Sequence, residues 1–239
     1  YKKLNKDTRF ITIGIESKSA IIKAENIKYS WDGISFSLMI NNQILDTVKL
    51  KLHGKHNVYN SLAAIAMAIS KDITLKDIIA GLQSYKGVCR RLEMKYKADE
   101  ILLFDDYAHH PTEIVTTLEG VYKSFSGFDI LTIFQPHRYS RLNLLFKEFK
   151  GSFKRSNKIF MLPVFSAGES KGTYKDSADL VNELNKDDHD AIYCDSFESA
   201  LDSIKPHIKD KSIIILMGAG SITKMSRQII PLIKEKVNY

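Results

Sequence analysis

Apolar positions change rhythm along this chain. Over residues 8–50 they come as short β-branched or alternating runs, Phe10 to Ile15, Phe36 to Ile40 and Ile44 to Leu50. Turn signals at Trp31-Asp32-Gly33 and Asn41-Asn42 separate them, which predicts strands. From about residue 57 the spacing becomes helical, with Val58, Leu62, Ile65 and Ile69 on one stripe. Leu75, Ile78, Ile79 and Leu82 mark a second helix, with Thr74 placed to cap it. Ser84 to Arg91 has no strong periodicity and reads as a linker.

Beyond residue 92 the two rhythms alternate. Strands are expected at 101–104, 130–134, 158–162, 191–194 and 213–217, and helices at 112–125, 140–150, 176–186, 196–204 and 220–236. Such alternation predicts an α/β domain with a mostly parallel sheet and helices on both faces. Two domains are therefore expected, 1–89 and 90–239. No internal repeat or low-complexity tract interrupts them.

Composition changes this picture little. With 44% hydrophobic and 26% charged residues, the chain has the make-up of an ordinary globular protein. No apolar run approaches the roughly 18 residues of a spanning helix, and no signal peptide opens the sequence, so no membrane insertion and a cytoplasmic location are expected. Two cysteines, Cys89 and Cys194, make no disulfide framework. Arg90 and Arg91 follow Cys89, but an isolated cysteine is usually packing. The net charge of +7 favours anionic partners. The lysines are scattered and no aromatic-basic recognition motif interleaves them, so a small anionic substrate fits better than nucleic acid. Tyr1-Lys2-Lys3 lacks an initiator methionine, and a fragment of a longer protein is expected.

The chemistry gathers where strands end. Ile101 to Phe104 runs into Asp105-Asp106-Tyr107-Ala108-His109-His110-Pro111-Thr112-Glu113 at the start of a helix. Ile130 to Phe134 runs into Gln135-Pro136-His137-Arg138-Tyr139-Ser140-Arg141. Two further turns, Phe165 to Glu169 and Gly218-Ala219-Gly220-Ser221, follow later strands. In a parallel sheet all four would lie along one edge, where ligands bind in open α/β folds. Arg138 and Arg141 are three apart at a helix start, suited to gripping a carboxylate or phosphate together. The helix dipole gives cations no reason to be there. The glycine turn equally suits a tight connection with no ligand. His109 and His110, being adjacent, point apart and have no third ligand at metal spacing, so no metal is expected there. Asn57 and Asn60 share a helix face; an amide there can pair with adenine, or Asn57 can be an N-cap. Gly54-Lys55 lacks the rest of a phosphate loop.

Four segments, in order, resemble the Mur ligase family of ATP-dependent amide ligases. They are His56-Asn57-Val58-Tyr59-Asn60 with Ala63-Ala64, Gly87-Val88-Cys89-Arg90-Arg91-Leu92-Glu93, Asp105 to Glu113, and Phe134 to Arg141. The last two are long and specific, and they resemble the alanine-adding branch, with Ala108 where glycine is common and Ser140 in place of threonine. The resemblance covers about the latter half of the family's length. It implies the end of a central ATPase domain, without its phosphate loop, followed by a complete Rossmann-like C-terminal domain.

The implied partners are UDP-N-acetylmuramate, L-alanine and ATP, with magnesium held by residues upstream. By the same resemblance, Asn57 and Asn60 hold adenine, Arg91 reaches ribose or phosphate, and Asp106 accepts from ribose hydroxyls. Tyr107, His109, His137, Arg138 and Arg141 position the amino acid, and His109, Arg138 and Arg141 act at the reacting centre. Closure of one domain on the other is expected to assemble the ATP site. The 239 residues alone are expected to be inactive. Two rivals are a tripeptide-adding recycling ligase and a non-catalytic basic domain that binds nucleic acid.

Overall fold

A computed structural model describes residues 10–237. The chain divides between Lys86 and Gly87 into two compact units.

The first unit is a four-stranded sheet in the order β1 (Ile13–Ile15), β2 (Ile22–Ser30), β3 (Gly33–Ile40), β4 (Gln43–Leu50). β1 runs parallel to β2; the other two pairings are antiparallel. Helices α1 (Lys55–Ile69) and α2 (Leu75–Ser84) follow. Val58, Leu62 and Ile65 of α1 and Ile78 and Ile79 of α2 pack on Ile22, Ala24, Phe36, Leu38 and Val48. Thr74 caps α2 as expected, its hydroxyl accepting from the Asp77 N–H at 3.2 Å. Two expectations need correction. α1 is capped at Gly54, so Asn57 lies inside the first turn and is not the N-cap. β2 was not anticipated, because a bulge between Glu25 and Lys28 shifts its register and moves its apolar positions from 22 and 24 to 27 and 29.

The second unit carries a six-stranded sheet built from β5 (Glu93–Ala98), β6 (Ile101–Asp106), β7 (Asp129–Phe134), β8 (Lys158–Met161), β9 (Ala191–Tyr193) and β10 (Ser212–Met217). Its order is β5-β6-β10-β7-β8-β9, parallel throughout except for β5. Strand residues alternate between two cores: Leu102, Phe104, Ile213 and Ile215 face one, Ile101, Leu103, Ile214 and Leu216 the other. Helices α3 (Pro111–Ser124), α4 (Tyr139–Leu144), α5 (Phe146–Lys150) and α6 (Ser177–Lys186) cover the first face. Helices α7 (Phe197–Ile204) and α8 (Ser226–Val237) cover the second.

Two expected single helices are divided. Residues 140–150 break at Leu145 (φ −110°, ψ 24°), where Asn143 turns its amide back on the Tyr139 carbonyl at 3.0 Å and competes with the helix. Residues 220–236 resolve into a 3-10 turn, Ser221–Met225, and then α8.

β10 lies between β6 and β7 at the middle of the sheet. Met217 lies opposite both Asp106 and Phe134, and Phe134 opposite Met161, so four strands end level. The chain leaves β6 and β7 toward one face but leaves β10 toward the other. Such a reversal opens a crevice at the carboxyl ends of the strands.

Candidate active site

Asp105 and Asp106 end β6 with side chains on opposite faces. Asp106 is buried, and its two oxygens accept from the Leu92 and Ala108 N–H groups, each at 2.7 Å. Burial raises its pKa against the opposing pull of those N–H groups, Arg91 and Thr117. Its carboxylate thus fixes the turn and the segment that carries Arg91. Asp105, fully buried, accepts from the Thr223 hydroxyl at 2.5 Å and lies 3.6 Å from Arg90 Nε.

The next residues are held by the start of α3. His110 is its N-cap and Pro111 its first residue, and Glu113 accepts from the N–H groups of His109 (3.0 Å) and His110 (3.2 Å). Partial burial works to raise the Glu113 pKa, but these N–H groups and the charges of His109 and Arg91 hold it below the usual carboxylate range. His109 Nδ1 lies 2.9 Å from the Tyr107 carbonyl and 3.4 Å from Glu113. Both neighbours accept only, so Nδ1 carries hydrogen and Nε2 is the ring nitrogen left to face a ligand. His110 Nδ1 accepts from the Thr112 N–H, so the adjacent imidazoles serve different ends.

At the end of β7, His137 and Phe165 form a backbone bridge, and the Arg138 N–H donates to the Phe165 carbonyl at 2.9 Å. Arg138 adopts φ 70°, ψ 131°, a conformation L-residues avoid and that concentrates at functional sites. Arg141 Nη1 donates to His137 Nδ1 at 3.2 Å, which requires a neutral imidazole. Burial, then Arg141, His109 and Arg138, push the His137 pKa down and keep it so. Glu169 accepts from Ser140 through both N–H (3.0 Å) and hydroxyl (2.6 Å) and lies 3.9 Å from Arg138. Arg141 has no carboxylate partner among the described residues, so its charge is available to a ligand.

These side chains form one row. Ring centroids are 5.1 Å apart from Tyr107 to His109, 5.8 Å from His109 to His137, and 5.5 Å from His137 to Phe165, the last pair stacked at 15°. Arg90 and Arg91 stand over Tyr107 at 4.9 and 5.8 Å. The row begins and ends in guanidinium groups: it suits a small ligand with a carboxylate and negative charge developing nearby.

Arg90 was not singled out from sequence. Its Nη2 donates to the carbonyls of Gly218 (2.5 Å) and Gly220 (3.4 Å), tying residues 87–92 to the turn after β10. At both glycines a Cβ would force a neighbour to shift, and Gly218 also has φ 152°. A Cβ on Gly218 would meet the Gln135 carbonyl at 2.7 Å, and one on Gly220 would meet Phe165 at 2.8 Å. The readable signal was its neighbour, Arg91, which ion-pairs only loosely with Glu113 (3.8 Å) and is more exposed.

In the first unit, Asn57 and Asn60 do share a face of α1. Asn57 donates to the His53 carbonyl at 2.8 Å, and Asn60 donates to the Asn57 amide oxygen at 3.3 Å.

Comparison with known proteins decides the family. The Mur ligase middle-domain profile matches residues 1–68, and the profile described as Mur ligase, glutamate ligase domain matches residues 90–220. The chain belongs to the Mur ligase family. Among similar curated Mur ligases, the UDP-N-acetylmuramate–L-alanine ligase of Acetivibrio thermocellus is 35% identical over 221 residues, 92% of this chain and 47% of its own length. Its namesake from Desulfatibacillum aliphaticivorans is 37% identical over 223 residues, 93% and 49%. The chain thus spans about half the length of these relatives. In fold it is similar to the UDP-N-acetylmuramate–alanine ligase of Thermotoga maritima (TM-score 0.77, 24% identity, 94% of this chain and 48% of that one). It also resembles a murein peptide ligase of Psychrobacter arcticus (TM-score 0.59, 23% identity, 92% and 46%).

Proposed function

We propose that this chain is the latter part of an ATP-dependent ligase that joins L-alanine to UDP-N-acetylmuramate in peptidoglycan synthesis. The observation that carries the reading is the placement of Tyr107, His109, His137, Arg138 and Arg141 side by side at the level ends of β6 and β7. The names of the curated relatives supply the substrates.

In the proposed reaction the muramoyl carboxylate attacks the γ-phosphorus of ATP, giving an acyl phosphate and ADP. The L-alanine amine then attacks the acyl carbon, loses a proton, and expels phosphate to leave an amide. Arg138 and Arg141 bind the amino-acid carboxylate and balance charge on the tetrahedral intermediate. His109 turns Nε2 to the amine as base or orienting acceptor, while Tyr107 and the neutral His137 wall the amino acid in.

For ATP, the amide groups of Asn57 and Asn60 fit adenine, since among the described residues Asn60 spends one N–H, on Asn57. Arg91 reaches ribose or phosphate. Asp106 acts chiefly by fixing the Arg91 segment, with its remaining lone pairs open to a ribose hydroxyl. Magnesium ligands belong to upstream residues, and these 239 residues alone would not turn over. ATP and a nucleotide-sugar substrate place the work in the cytoplasm.

The test is phosphate release by the full-length protein with ATP, magnesium and UDP-N-acetylmuramate, comparing L-alanine with L-alanyl-γ-D-glutamyl-diamino-acid tripeptide. Release dependent on L-alanine is expected. Release with the tripeptide alone would assign the recycling reaction, and release with neither would sink the substrate assignment.

A further inference from the structure

We propose that Phe165 is the specificity-determining residue of the amino-acid pocket, the fixed wall that restricts the acceptor to a small side chain. The inference rests on the reading of Arg138 and Arg141 as the carboxylate grip, and it names what limits the other end of the substrate.

Three observations carry it. Phe165 stacks on His137 at 5.5 Å and 15°, and His137 in turn holds Arg141 through Nδ1 at 3.2 Å. A carboxylate on Arg141 therefore sits one imidazole away from the Phe165 ring. Next, the root of the ring is closely backed. A Cβ added to Gly220 would lie 2.8 Å from Phe165 Cγ and 3.0 Å from its Cβ, so the turn after β10 already backs directly on the ring. The backbone is also pinned, with the Phe165 N–H donating to the Pro136 carbonyl at 2.8 Å and its own carbonyl accepting from Arg138 at 2.9 Å. Finally, the ring is not spent on the core. Phe165 is 37% exposed and packs in neither apolar cluster of the second unit. A large aromatic that is fixed, backed and still exposed beside a carboxylate grip serves as a wall. A side chain branching or lengthening beyond a methyl group would meet it.

The experiment uses full-length protein with ATP, magnesium and UDP-N-acetylmuramate, and measures kcat/KM for L-alanine, L-2-aminobutyrate and L-valine. Phe165→Ala should raise the valine-to-alanine ratio by about tenfold or more, the order expected for one or two methylenes in a pocket. Phe165→Leu should fall between the two. Wild type active with L-alanine, together with an unchanged ratio in a variant that melts like wild type, would overturn the assignment of Phe165 and leave the ligase reading intact. Wild type inactive with all three amino acids would overturn both. Loss of folding in both variants would make the ring a structural wedge and end the proposal.

Discussion

Among the described residues Arg141 has no carboxylate partner and is anchored on the His137 ring and carbonyl. Replacing it with alanine should raise the KM for L-alanine by about tenfold or more, as loss of a charge-assisted hydrogen bond does. The KM for ATP should stay near wild type; a matched rise in both would mean general damage to the site. Arg91→Ala should show the opposite pattern, a raised ATP KM or lowered kcat in a chain that still folds, and unchanged steady-state kinetics would refute its nucleotide role. A different histidine contributes to acid sensitivity. Burial pulls the His53 pKa from the ordinary 6.5 to about 4, only partly offset by Asp32. The unfolded chain therefore binds a proton between those values that the folded chain refuses. The stability contributed by neutral His53 is full above pH 6.5, falls as pH drops, and is lost by about pH 4. The loss is on the order of 3 kcal/mol. His53→Gln should flatten this part of the stability–pH curve; equal slopes for variant and wild type would be the contrary result.

The start of α3 shows how an element's end can organise chemistry. Glu113 closes a capping box with His110 and also accepts from the His109 N–H, so one carboxylate fixes both the helix and the imidazole. Glu113→Ala should destabilise the second unit by about 1 kcal/mol in denaturant titration. It should also lower kcat more than it raises any KM, because His109 loses its orientation; a purely thermodynamic loss would separate the two roles. Much at this level was legible in sequence. The βαβ rhythm gave the parallel strands, and the polar runs 105–113 and 135–141 do fall at the ends of β6 and β7, since clusters at strand ends survive any error in helix length. What stayed hidden has physical causes. β5 is a short edge strand with Met94 exposed and a register shift between Met94 and Tyr96, so no alternation survives to be read. Arg90 was missed because its partners, the Gly218 and Gly220 carbonyls, lie 128 and 130 residues away, and backbone acceptors leave no trace in side-chain identity. That Asp106 accepts from the Leu92 and Ala108 N–H groups is visible only in the fold, because backbone donors leave no mark on sequence.

Across the whole second unit, the strand order carries a demand on synthesis. β6 and β7 do not pair with each other; each pairs with β10, which is made after the other five strands. A nascent chain that has not yet reached Ser212 holds two half-sheets with open inner edges, and such edges are prone to wrong pairing. A chain truncated at Lys211 should accordingly fail to give a cooperative thermal transition for this unit, and should aggregate where the longer chain stays monodisperse in light scattering. The same strand delivers the Gly218–Gly220 turn on which Arg90 and Phe165 rest. Until that strand is made, neither the sheet nor the level row of strand ends that carries the 105–113 and 135–141 turns is complete.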